Sequence, residues 1–264
     1  MFMTVLQGVL LFGAAIIAGA MNSVAGGGSF ILFPTILSIG IPSINANATN
    51  TISLWPGSAV SIAPYRKELA KQDRRRLVEL ILVSMIGGFL GAELLRNTPA
   101  ALFDKILPFL LLLATLLFTF SKQITTSLNR VLKRPLVSEN NQPSAAAVIL
   151  QLVIATYGGY FGGGIGVLML TLLSLMGMTN IHSMNAIKVL LATMINGIAV
   201  LIFIGGGLVH WDIALITIVG AVIGGYGGAS LALRLDPKVA RRIVIAIAFF
   251  VTILFFVRTY TDIL

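Results

Sequence analysis

Apolar residues run in long, nearly unbroken stretches along this chain, and polar residues gather in short islands between them. In the first half the apolar stretches cover roughly 4–21, 26–41, 47–65, 77–95 and 102–120. In the second half they cover roughly 146–160, 164–178, 185–206, 213–232 and 239–257. None shows the strict alternation of a half-buried strand, and runs such as Ile106–Phe120 and Ile243–Val257 are continuous. A helix of about 20 residues crosses the hydrocarbon core of a bilayer, and most of these stretches are close to that length. The pattern predicts helices throughout. The second stretch of each half is shorter, about 15 residues or ~22 Å as a helix. Each is preceded by a Gly triplet that a continuous helix tolerates poorly.

The two halves repeat one another. Gly26-Gly27-Gly28 is followed by Thr35 and Ser38 at the spacing at which Gly162-Gly163-Gly164 is followed by Thr171 and Ser174. Asn47-Ala48 matches Asn185-Ala186, and Gly87-Gly88 through Gly91-Ala92 matches Gly224-Gly225 through Gly228-Ala229. The offsets are 136, 138 and 137 residues. The expected organisation is a first transmembrane repeat over 1–120, a cytoplasmic linker over 121–145, and a second repeat over 146–264. The linker holds Lys122, Arg130, Lys133, Arg134, two prolines and a polar Ser-Glu-Asn-Asn-Gln run, and reads as a solvated loop.

Composition agrees with a membrane setting. Of 264 residues, 57% are hydrophobic and 10% charged, and the mean hydropathy is +0.99. A soluble domain carries about 25% charged residues, so a soluble enzyme, a disordered chain and a nucleic-acid-binding domain are excluded. Cysteine is absent, which removes disulfides, thiolate metal sites and cysteine nucleophiles. The start of the chain has no basic n-region, so the first apolar segment reads as a retained span rather than a cleaved leader.

The net charge of +9 is informative through its placement. Fourteen of the eighteen basic residues fall in loop 66–76, the linker and loop 233–242, which the positive-inside rule assigns to the cytoplasm. The loop between segments three and four is therefore cytoplasmic in the first half. The matching loop of the second half, Gly207–Asp212, has no basic residue and is expected outside. The copies then lie upside down relative to each other, as an odd segment count per half requires. Both termini are expected outside. The fold class expected is an all-α integral membrane protein of two inverted-topology repeats, each of about five apolar segments. It has eight to ten spans, with the Gly triplets forming either hairpins or broken helices.

Inverted repeats with broken helices are a recurrent plan of secondary transporters. A Gly triplet lets backbone N–H groups approach an anion, and a helix starting behind it adds its positive end. The competing reading is close helix packing. The third segments open with polar residues: Asn45, Asn47, Thr49, Asn50 and Thr51 in one, Asn185 and Lys188 in the other, with Asn196 further on. Helix capping accounts for some of these. Asn50 and Lys188 align under the repeat. A lysine inside an apolar segment is costly and points to function, unless it snorkels to the surface. Gly87/Gly91 and Gly224/Gly228 read as packing motifs, and Glu93 with Arg96 as an interfacial ion pair. His182 and His210 read as surface residues, and Trp55 and Trp211 as packing or interface aromatics. Pro34 and Pro56 are expected to kink or break segments two and three. No catalytic or nucleotide-binding motif is present, so neither an enzyme nor an ATP-driven pump is expected, and no cofactor and no metal site is assigned.

Several of these motifs occur together in an order that resembles the sulfite exporter TauE/SafE family of membrane permeases. They are the two Gly-Gly-Gly segments, Asn47-Ala-Thr-Asn50, and Pro56-Gly-Ser58 running into Tyr65-Arg66-Lys67. Asn185-Ala-Ile-Lys188 with Asn196, and His210-Trp211 followed by Gly224–Ala229, complete the set. His210 stands where an acidic residue often precedes the tryptophan. The resemblance implies transport, in the direction of export, of small sulfur-containing anions such as sulfite, thiosulfate, sulfoacetate and other organosulfonates, in a bacterial-type inner membrane. The candidate substrate-binding residues are Asn22, Gly26, Gly27, Gly28, Asn50, Thr51, Gly162, Gly163, Gly164, Lys188 and Asn196. The implied partners are the sulfur anion and the lipid bilayer, with no nucleic acid. A permease for another anion, such as a carboxylate, and a membrane assembly partner without transport are the alternatives.

Overall fold

The computed structural model describes residues 4–24, 27–131, 136–137, 142–232 and 237–260. Apart from an isolated bridge between Val137 and Pro143, the regular structure there is helical. The first half forms α1 (Val5–Val24), α2 (Ser29–Ser38), α3 (Ser43–Val60), the short α4 (Arg66–Ala70), α5 (Arg74–Arg96) and α6 (Ala100–Val131). The second half forms α7 (Ala145–Tyr160), α8 (Ile165–Leu175), α9 (Ile181–Gly205), α10 (Trp211–Ala232) and α11 (Pro237–Tyr260). Every predicted apolar segment is a helix. By length and composition α1, α5, α6 and α9 suffice to cross a membrane.

Local chemistry sets the boundaries. Asp73 caps α5, accepting from the Arg76 N–H at 2.8 Å, and that bond holds its carboxyl below the usual range. This cap acts above pH ~3.9, the unfolded carboxyl value, and is lost as pH falls through the lower folded value. Asn180 caps α9 and Ser144 caps α7. The matched helices α2 and α8 are both followed by a glycine in left-handed conformation, Gly40 and Gly177. Pro34 and Pro56 lie inside α2 and α3 and break neither. Residues 121–131 of the expected loop are instead helical, since α6 runs on to Val131, and 132–135 and 138–141 of it lie outside the described residues. No Gly or Pro falls within 121–131, and Thr125 bonds both the Ser121 carbonyl and Thr171 of α8.

The helices pair across the halves. The most extensive contacts join α1 to α10 and α7 to α5, followed by α5 with α9 and α10 with α3. Helix α6 meets α8, and α11 meets α2. Exchanging the halves converts each of these pairings into the other of its pair. Two residues even touch their own repeat-mates: the Trp55 indole donates to the Thr193 carbonyl at 3.1 Å, and Thr115 bonds Thr252 at 3.1 Å.

Glycines make the main pairings possible. A methyl group on Gly91 would overlap the backbone of Thr156, and one on Gly224 the backbone of Ile16. These motifs pack helices, as expected; Gly228 lies outside the residues whose surroundings are described. The outward faces of the same helices are apolar and exposed: Val5, Leu6 and Val9 on α1, Ile86 and Leu90 on α5, Leu215 and Val219 on α10. Such a surface suits lipid rather than water.

A few polar pairs cross the interior. Gln151 of α7 donates to Ser84 of α5 at 2.7 Å, and both are fully buried. Ser84→Ala removes that acceptor and should cost about 1 kcal/mol, since buried polar bonds inside membrane bundles are worth about 0.6–2 kcal/mol. Adding Gln151→Leu should recover much of the loss in a thermal-unfolding assay, because the orphaned amide is then gone.

Candidate functional site

Helices α2 and α8 have 10 and 11 residues. At 1.5 Å per residue each covers only about 15 Å, half of a ~30 Å hydrocarbon core. Each follows a Gly triplet and packs against the helix before it, α2 on α1 and α8 on α7. Gly27 (φ +112°) and Gly164 (φ +74°) hold left-handed backbone that a side chain would strain. The result is two broken-helix turns, one per half.

Both turns open onto one cavity of about 250 Å³. Of the sequence-predicted residues, Asn22, Gly27, Asn50, Thr51, Gly162, Gly163, Gly164, Lys188 and Asn196 line it. Gly28 does not; it packs against the Ala18 carbonyl and the Asn22 side chain. Gly26 lies outside the described residues. The structure adds Asn47, Ser29 and the aromatic rings of Phe33 and Phe161, which meet edge to face at 6.0 Å. Repetition of Asn47-Ala48 as Asn185-Ala186 was the available signal for Asn47. The aromatic lining had none, because Phe is common throughout the chain.

Hydrogen bonding separates the spent groups from the open ones. Gly162 N–H donates to the Tyr157 carbonyl at 3.2 Å, closing the end of α7. The N–H groups of Gly163 and Gly164 donate to no described group and stand at the start of α8. The Tyr157 hydroxyl fixes the turn by donating to the Gly163 carbonyl at 2.6 Å. Lys188 does not reach for the surface. Its stem lies over Gly166, and its ammonium donates to Asn185 Oδ1 at 3.0 Å while lining the cavity. No Asp or Glu lines the cavity among the described residues, so Lys188 brings the only formal charge there. A cationic group, open backbone donors and a helix N-terminus make an anion-accepting environment.

Helix capping is not what the polar start of α3 does. Pro42 precedes the helix. Asn45 instead donates to the Leu208 carbonyl at 3.0 Å, Asn47 to the Tyr160 carbonyl at 3.1 Å and Asn50 to Ser29 Oγ at 3.2 Å. Thr49 accepts from the His210 N–H at 3.1 Å. Asn47 and Asn50 are 1% and 3% exposed, and their Oδ1 atoms have no hydrogen-bond partner among the described residues. Thr51 bonds back to the Asn47 carbonyl in its own helix. Glu93 and Arg96 form the expected ion pair, at 2.7 Å. No group of three or more metal-binding His, Cys, Asp or Glu side chains occurs among the described residues.

The family model "Sulfite exporter TauE/SafE" matches residues 11–255. A Haemophilus influenzae protein named "Probable membrane transporter protein" is 26% identical over 248 residues, 92% of each chain. The "Probable membrane transporter protein ORF9" of a Sinorhizobium species is 28% identical over 90% of this chain and 88% of its own. The "Probable membrane transporter protein YfcA" of Escherichia coli K12 is 28% identical over 92% of this chain and 87% of its own. No solved structure matches the chain.

Proposed function

This chain belongs to the sulfite exporter TauE/SafE family, and we propose that it exports small sulfur-containing anions such as sulfite, thiosulfate or organosulfonates across the cytoplasmic membrane. It is a multi-pass membrane transporter, not an enzyme. The observation that carries the anion reading is the Lys188 ammonium in a carboxylate-free cavity beside the open N–H groups of Gly163 and Gly164. Gly27, Asn22, Asn196 and Thr51 line the same cavity and complete the proposed substrate shell. Gly28 and Gly162 shape the turns, the latter through its bond to Tyr157. Phe33 and Phe161 supply an apolar wall against which the organic part of a sulfonate packs.

The halves act as inverted repeats, with the basic loops and linker 121–145 cytoplasmic and both termini outside. The interchangeable helix pairings support that reading, and so does the charge distribution. One half rocking against the other then exposes the cavity to alternate sides.

Proteoliposome flux of sulfite, thiosulfate and sulfoacetate, with acetate as the carboxylate control, tests the assignment. Flux of a sulfur anion well above acetate is expected. Equal or faster acetate movement moves the assignment to a carboxylate permease, and absence of flux for every solute favours a non-transporting membrane partner.

A further inference from the structure

Asn47 and Asn50 of α3 occupy the positions that Asn185 and Lys188 hold in α9. In α9 the Asn185 amide oxygen receives a cation, the Lys188 ammonium at 3.0 Å. In α3 the lysine is replaced by asparagine, and among the described residues nothing donates to the equivalent Asn47 oxygen or to the Asn50 oxygen. We propose that a small monovalent cation, sodium in the first instance, binds at Asn47 Oδ1 and Asn50 Oδ1, doing in the first half what the tethered ammonium does in the second.

The orientation of the Asn47 amide is fixed by chemistry. Its nitrogen donates to a backbone carbonyl, which only accepts, so the oxygen faces away from Tyr160. Three residues apart on one helix, the two asparagines share a face. Both line the cavity, and an amide oxygen buried without a partner is destabilising. The carbonyl that Asn47 touches belongs to the last residue of α7, the negative end of a helix dipole, which favours a cation nearby. Ser29 Oγ, bonded to Asn50, is a further neutral oxygen at hand. Protein sites for divalent cations rely on carboxylates to match the charge, and none lines the cavity among the described residues, so the site suits a single charge. If the cavity carries a sulfur dianion, as proposed above, Lys188 and this cation together balance it. Cation binding then couples anion movement to a cation gradient. That coupling rests on the anion reading, whereas the cation site itself does not.

The test therefore contains no sulfur anion. Purified protein is melted in choline chloride, then with sodium, lithium or potassium chloride substituted at constant ionic strength. A saturable rise of a few degrees with sodium over choline is expected, since a ligand of the native state raises its stability. Asn50→Lys copies the second half and should melt at a temperature indifferent to sodium. Asn47→Ala should lose the sodium response through loss of the oxygen. Direct binding of radioactive sodium to the wild-type protein, displaced by unlabelled sodium, gives a readout that needs no variant. Melting that ignores cation identity together with no displaceable sodium binding overturns the proposal: the two oxygens then hold water. A sodium response retained in full by Asn50→Lys or Asn47→Ala overturns it equally. A sodium response without sulfur-anion flux sustains this site and defeats the anion assignment; the reverse pair of results does the opposite.

Discussion

Lys188→Met is expected to weaken sulfur-anion binding roughly 10- to 100-fold while leaving the protein folded. A charge-assisted hydrogen bond is worth about 1.5–3 kcal/mol, and each ~1.4 kcal/mol is tenfold in affinity. Methionine keeps an aliphatic stem over Gly166 and removes only the ammonium. The thermal stability of the anion-free protein should change little, because the lost bond to Asn185 is offset by relief from desolvating a charge. The anion-dependent rise in melting temperature should shrink or vanish, and flux should fall with it. Lys188→Arg should fall between the two, since the guanidinium keeps the charge but needs more room in a cavity of about 250 Å³. If Lys188→Met binds and moves sulfur anions like the wild type, Lys188 has no part in recognition.

Gly91→Ala and Gly224→Ala should each destabilise the protein by about 2–3 kcal/mol, the upper part of the range for overpacking. Gly91 faces the Thr156 carbonyl and the Tyr160 N–H of α7, and Gly224 the backbone of Ile16 in α1. The obstacles are backbone, which cannot swing aside as a side chain can, so the helices must separate. That separation opens the α5–α7 and α1–α10 pairs, the most extensive contacts between the halves. The double variant should aggregate on extraction. Gly13→Ala is the matched control: nothing lies near its added methyl, and alanine is the better helix former by about 1 kcal/mol. Size-exclusion profiles after graded heating rank the four proteins, and equal melting of Gly91→Ala and Gly13→Ala would refute the packing argument.

Much of the site was legible because its signals are local. Gly triplets announce a break wherever they occur, and a lysine in an apolar run is conspicuous by its cost. Capping, expected to account for some of the polar start of α3, accounts for neither Asn45 nor Asn47, because an N-cap is judged from the next few residues. Their actual acceptors, Leu208 and Tyr160, lie more than a hundred positions away. Within the expected solvated loop 121–145, residues 121–131 are mostly exposed but helical, because polarity alone does not end a helix. The stretch has no breaker, and Thr171 of α8 gives Thr125 a partner.

Hydropathy within the chain was enough to establish helices, their approximate ends and the membrane setting, and the internal repetition supports the proposed two-copy organisation. Burial of apolar runs in lipid needs no partner, so it is written segment by segment. Which helix lies against which was decided only by the tertiary structure. Helix α1 packs on α10 rather than on its sequence neighbours alone, because facing glycines let those two backbones meet. The same packing decided which donors and acceptors are spent and which are left facing the cavity. A hydrogen bond is a property of two groups at one distance, and the sequence names the groups without the distance.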